Sequence, residues 1–130
     1  MLKFSEKVIG KIEVPQEIKE TDIENIIVSS FEGGSNYWMG IDNSKPEFKN
    51  KPKDEPLSTW ATKIILEGGI IQFYDIEDEE ETWTLTLDKL LNSIKLNAIN
   101  RSFDSDLENM DATTADCIIQ YALFGEVVYG

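Results

Sequence analysis

The stretch IIQFYDIEDEEETWTLTL, residues 70–87, holds two β-patterns around an acidic centre. Ile70 to Ile76 is rich in β-branched and aromatic residues, the composition of a strand. Trp83, Leu85 and Leu87 alternate with Thr82, Thr84 and Thr86, which predicts a strand with one buried face. Glu77-Asp78-Glu79-Glu80-Glu81 lies between them, so the segment reads as a β-hairpin with an acidic tip. An antiparallel hairpin with one apolar side needs a cover, and the flanking sequence supplies helices for it.

Four segments carry apolar residues at helical spacing. Glu20 to Glu32 places Ile23, Ile26, Ile27 and Phe31 on one stripe; Thr21 with Glu24 fits a capping box, and Gly33-Gly34 predicts a left-handed stop. Leu57 to Glu67 aligns Leu57, Trp60, Ala61, Ile64 and Ile65 after Pro56, with Ser58 or Thr59 as candidate caps and Gly68-Gly69 as the stop. Asp88 to about Ile99 carries Leu87, Leu90, Leu91, Ile94 and Ala98 on one stripe. About Thr113 to Phe124 carries Ala115, Ile118, Ile119, Ala122 and Leu123, and stops at Gly125. Val8, Gly10, Ile12 and Val14 alternate with polar and apolar neighbours, which predicts an N-terminal strand ending at Pro15. A short strand from Glu126 to Tyr129 is expected at the sheet edge, and Ile41 to Pro56, with three prolines, reads as a long loop. The expected architecture is a single α+β domain over residues 1–130: a small, largely antiparallel β-sheet packed against about four α-helices.

Bulk composition removes whole classes of chemistry. The 130 residues include no histidine, so Ser-His or Cys-His catalysis and imidazole metal sites are absent. The single cysteine, Cys117, permits no internal disulfide and has no histidine to activate it, which predicts a structural thiol. The opening MLKFSEKVIGKIEV interleaves charges with apolar residues, and reads as neither a signal peptide nor a membrane span. No catalytic constellation stands out, and the expectation is a protein that is not an enzyme and takes no cofactor.

Twenty-five acids against 12 bases give a net charge of −13. Direct contact with nucleic-acid phosphates or anionic lipid is therefore disfavoured. The excess is uneven: residues 1–53 hold 8 Lys and 9 acids, whereas residues 54–130 hold 4 bases and 16 acids. It gathers at Asp75, Glu77, Asp78, Glu79, Glu80 and Glu81 and again at Asp104, Asp106 and Glu108. Such a surface attracts proteins with basic grooves, because carboxylates spaced along a rigid frame stand in for a phosphate ladder. Asp75, Glu77 and Glu79 alternate like the first ligands of a calcium loop. Glu80 stands where that loop needs glycine, and Thr86 where it needs its bidentate Glu, so no metal is expected.

Asn36, Tyr37 and Trp38 follow the two glycines and form a second candidate site. Two readings stand there: the aromatics stack on a ligand base or grip a partner, or they cover the end of the core. The lysines Lys45, Lys49, Lys51 and Lys53 would supply cations for a phosphorylated ligand in the first case.

The segment FEGGSNYW, residues 31–38, resembles an EGG-NYW motif of small acidic bacteriophage and prophage proteins, most of them uncharacterised. The similarity recurs at Leu66-Glu67-Gly68-Gly69, at Leu85 to Leu91, and at the closing ADCIIQYALFGEVVYG, residues 115–130; Lys45 to Lys53 does not align. The resemblance implies a phage origin and action in the cytoplasm of the bacterial host, and transfers no established activity. Together with the charge it leads to an expected role: inhibition of a host nucleic-acid-binding defence enzyme, of the anti-CRISPR or anti-restriction kind, by a monomer or homodimer occupying a basic groove. The alternatives are sequestration of a nucleotide signal through Asn36 to Trp38, and a structural or regulatory phage protein.

Overall fold

The computed structural model describes residues 1–130. The first helix, α1, spans Glu20–Ser29 and widens into a π-helical turn at Ser30–Gly34; strand β1 follows at Met39–Ile41. A single 3-10 turn at Pro46–Phe48 leads to α2, Leu57–Leu66, and then to β2, Ile71–Asp75, and β3, Asp78–Leu85. Helix α3, Leu87–Asn100, is joined to α4, Ala112–Phe124, through 3-10 turns at Ser102–Asp104 and Leu107–Asn109. The sheet has the order β1-β2-β3 and is antiparallel throughout, with Ile41 opposite Phe73 and Phe73 opposite Trp83. An α+β fold with four helices and a small antiparallel sheet is what the periodicities call for.

The inward side chains explain why these elements stay together. Ile71 and Phe73 of β2 and Leu85 of β3 are fully buried, against Ile26 and Ile27 of α1, Ile65 of α2, Leu90 of α3 and Ile118 and Ile119 of α4. Phe31 meets Phe73 edge-on at 5.6 Å. Each such side chain contributes about 1.5–3 kcal/mol by leaving water. Helix ends are fixed locally. Asp111 caps α4 by accepting from the Thr114 N–H at 2.8 Å, Thr86 caps α3, and Gly125 closes α4 in the left-handed region at φ 74°.

Several expectations give way. Residues 8–14 form no strand, and neither do residues 126–129. A strand needs an open edge to pair with. β1 is only three residues long, and at β3 the Lys89 ammonium already donates to the Thr84 carbonyl at 2.8 Å. At the C-terminus the Val128 and Tyr129 N–H groups both donate to Gln120 Oε1 at 2.7 Å, so a side chain takes the amides a neighbouring strand would have used. The acidic segment is also rearranged. Only Ile76 and Glu77 form the turn, while Asp78 to Glu81 belong to β3. Asp75 lies opposite Asp78 but Tyr74 lies opposite Thr82, so Glu79, Glu80 and Glu81 have no opposite number on β2. Three adjacent carboxylates repel one another, and the bulge sends them apart into solvent.

The caps of α1 and α2 differ too. The Asp22 carboxylate accepts from the Lys19 N–H at 2.8 Å, in place of the Thr21–Glu24 pair. Pro56 occupies the cap position of α2, and Ser58 instead turns inward and donates to Glu32 Oε1 at 3.0 Å. Gly33 and Gly34 make no left-handed stop. Gly34 is required for space: a Cβ there would lie 2.6 Å from the Ala112 carbonyl oxygen and 3.0 Å from that of Ser29, both backbone atoms. Gly34→Ala should therefore cost about 1–3 kcal/mol of stability, read as a lower urea midpoint, because two helices must separate to admit one methyl group.

Candidate functional site

The SNYW segment, residues 35–38, leaves the π-helical turn and runs across the N-terminal half of α4. Ser35, Tyr37 and Trp38 all address one residue there, Asp116, which is 7% exposed. Asp116 Oδ1 accepts from the Ser35 hydroxyl and from Trp38 Nε1, each at 2.8 Å. Its Oδ2 accepts from the Tyr37 hydroxyl at 2.8 Å and from Gln120 Nε2 at 3.1 Å. Gln120, one turn on, holds the C-terminal backbone through the Val128 and Tyr129 amides. A buried carboxylate with four donors is satisfied without a cation. Asp116 and Gln120 thus join α4, the segment after α1 and the last residues of the chain.

This geometry places the second candidate site. Trp38 is 3% exposed, stacked against Tyr129 at 4.7 Å and 7°, with Trp83 and Phe124 packed on its other sides at 5.7 and 5.6 Å. The ring face that stacking on a ligand would use is taken by Tyr129. Asn36 is exposed, and Tyr37 is 49% exposed with its hydroxyl turned to Asp116. Removal from water at the hydroxyl, together with the hydrogen bond to Asp116, raises the Tyr37 pKa to about 12. Beside Asp116 a half-open cleft of about 400 Å³ is lined by Gly33, Tyr37, Cys117 and Tyr129 among others. Burial and the nearby Asp116, Asp104 and Asp111 carboxylates push the Cys117 thiol up, against the lowering effect of Arg101, which leaves it a weak nucleophile. Lysines of the 45–53 loop are partly spent on their own loop: Lys45 lies 3.8 Å from Asp42, and Lys51 donates to the Pro52 and Glu55 carbonyls.

The acidic residues fall into two groups. Glu77, Asp78, Glu79, Glu80 and Glu81 are exposed on the turn and bulge of the hairpin. Asp75 is half-buried beneath them and accepts from the Tyr129 hydroxyl at 3.2 Å. Burial first, then the charges of Asp75, Glu81 and Glu77, raise the Tyr129 pKa, which sets the hairpin acids beside the aromatic cluster. The second group borders a small cleft where Asp106 and Glu108 meet Glu17, Lys19 and Asp22 around the start of α1. Asp104 does not share that exposure: Arg101 pairs with it at 2.9 Å and the Thr114 hydroxyl donates to it. Nowhere do three carboxylate or thiol side chains converge as a metal ion would require. No helix is long and apolar enough to cross a membrane.

Comparison with known proteins leaves the site to speak for itself: no protein-family model, no curated protein and no solved structure matches this chain.

Asp116 and Gln120 are the residues that reading the sequence missed. Their signal was a polar pair four residues apart in a helix otherwise buried from Thr114 to Tyr121. Trp38 and Gln120 present obligatory N–H donors to opposite oxygens of the carboxylate. Asp116→Asn must therefore set its amide N–H₂ against one of them, and should cost about 3 kcal/mol in urea unfolding, with a changed Trp38 fluorescence. Alkaline stability follows from Tyr37. Its folded pKa of about 12 exceeds the ordinary 10.0, so its contribution is complete below pH 10 and disappears as pH rises toward 12. The urea midpoint of Tyr37→Phe should fall less over that interval than that of the parent.

Proposed function

We propose that this chain is a phage-encoded acidic binding protein that inhibits a host nucleic-acid-binding defence enzyme, of the anti-CRISPR or anti-restriction kind, within the bacterial cytoplasm. The observation that carries the reading is the state of the hairpin acids. Three ion pairs occur in the whole chain, Asp42 with Lys45, Lys63 with Glu67 and Arg101 with Asp104, and none involves residues 75–81. Five consecutive carboxylates from Glu77 to Glu81 therefore stand exposed and unneutralised on a defined backbone.

A run of negative charge without counter-charges is costly to its own fold, since each carboxylate repels the next. It becomes favourable against a groove lined with Lys and Arg, where every pair formed releases counterions as a nucleic acid would. Asp106 and Glu108, with Glu17 and Asp22 around the single Lys19, extend the net negative field on a second part of the surface. The aromatic floor of Trp38, Trp83, Phe124 and Tyr129 under the hairpin keeps the acidic segment rigid and lowers the entropy lost on docking.

The test is an inhibition assay on nucleic-acid-binding defence enzymes of the host, with DNA or RNA binding as the readout. Replacing Glu77, Asp78, Glu79 and Glu80 together by Lys should abolish inhibition. All four are exposed, so the fold should survive, as circular dichroism would verify. Inhibition by the parent should weaken steadily as salt shortens the Debye length below about 8 Å. Full inhibition by the four-lysine variant would dismiss the groove-filling mechanism.

A further inference from the structure

Residues 1–14 form an arm without secondary structure, and alternate positions along it differ in kind. One row reads Leu2, Phe4, Glu6, Val8, Gly10, Ile12 and Val14; the other reads Met1, Lys3, Ser5, Lys7, Ile9, Lys11 and Glu13. Glu6 and the side-chain-less Gly10 are the two interruptions of the apolar row. No backbone hydrogen bond joins residues 1–18 to the rest of the chain. Seven large apolar side chains of the arm, Met1, Leu2, Phe4, Val8, Ile9, Ile12 and Val14, are each at least 72% exposed. An unsupported apolar row of this size marks an interaction site.

A matching receptor lies on α3. Leu91, Ile94, Ala98 and Ile99 line a groove of about 400 Å³ whose other wall is the root of the arm, Val14 and Ile18. Leu91 is 40% exposed and Ile99 64%, and Phe103 just beyond the helix is 82% exposed. At Gln16 the groove adjoins the cleft bordered by Glu17, Asp22, Asp106 and Glu108. Glu13 and Lys95 edge the trough itself and Lys19 shares the cleft, so the combined rim carries five acids against two lysines. An apolar trough with a net acidic rim is the complement of an arm with an apolar row and a lysine row. The protomer's own arm does not fill the trough, because beyond Val14 it runs out into solvent.

We propose that two copies of this chain exchange arms, each laying the apolar row of Leu2 to Ile12 over the α3 groove of the other and on across its exposed Phe103, with Lys3, Lys7 and Lys11 toward the net acidic rim. Val14 and Ile18 place the root of each arm beside its own α3 groove, and a reciprocal exchange of arms closes under two-fold symmetry. Leu2, Phe4, Val8, Ile9 and Ile12 of the two arms, ten large apolar side chains in the pair, amount to roughly 600–1,200 Å² at about 60–120 Å² each, and the groove surface they cover brings the total within reach of the ~1,200–2,000 Å² of a specific interface. The dimer leaves the hairpin acids free and does not depend on the proposed target.

Sedimentation equilibrium of the full chain decides the matter. The expected mass is twice 14.8 kDa, and Ile12→Asp in the arm or Ile99→Asp in the groove should each weaken the dimer at least about tenfold. Changing Lys3, Lys7 and Lys11 to Glu should weaken it further as salt falls, since like charges then face the rim. These residues are exposed, so the variants should remain folded. Mixing Ile12→Asp chains with Ile99→Asp chains should restore heterodimers, because one intact arm still meets one intact groove. A parent that stays monomeric at millimolar concentration overturns the proposal, whether its arm amides exchange freely or are protected by folding back on their own helix. So does a dimer indifferent to Ile12→Asp, or a mixture in which no heterodimer forms.

Discussion

The buried carboxylate of Asp116 organises this molecule, because four donors, three from residues 35–38 and one from Gln120 on its own helix, converge on its two oxygens. Burying a carboxylate is expensive unless every lone pair is engaged, so the position tolerates few arrangements of its neighbours. Ser35, Tyr37 and Trp38 must be presented together, which the π-helical turn at Ser30–Gly34 achieves by redirecting the backbone over α4. Gln120 extends the network to Val128 and Tyr129, and Tyr129 then stacks on the Trp38 ring. Hydrogen bonding and aromatic packing here define one geometry between them. The first specifies direction, and the second supplies the apolar area that keeps water away from it.

The same arrangement bears on the acidic surface. Tyr129 reaches Asp75 at the base of the hairpin, so the network that begins at Asp116 ends under the exposed carboxylates. Core and charge are separated by one layer of aromatic rings. The core accepts Trp83 from one side of β3, while Glu79 to Glu81 bulge into solvent from the same strand. A hairpin anchored in this way holds its charges in place although they repel one another.

Much of the architecture was legible in residue spacing. The four helices begin and end within a few residues of the positions set by their apolar stripes, since each stripe is a local property of consecutive residues. Gly125 closed a helix as its place in the pattern required. The two terminal segments were misread for a common reason. Alternation at Val8 to Val14 and at Glu126 to Tyr129 describes a chain able to pair, but pairing needs a vacant edge, and alternation carries no information about edges. Gly33 and Gly34 were misread because space, and not a left-handed turn, is what Gly34 provides. The three-residue strand β1 was too short to show a period at all.

By itself the sequence determined the helices, the hairpin and the location of the negative charge, because periodicity and charge are counted along the chain. Only the tertiary structure decided which polar groups matter. The donors to Asp116 from residues 35–38 lie 78 to 81 residues away from it, and no local pattern links them. Folding likewise turned Tyr37 and Trp38 inward, paired Asp104 with Arg101, and left Glu77 to Glu81 without partners. Such outcomes depend on which side chains meet across the core, and that is settled by packing in three dimensions.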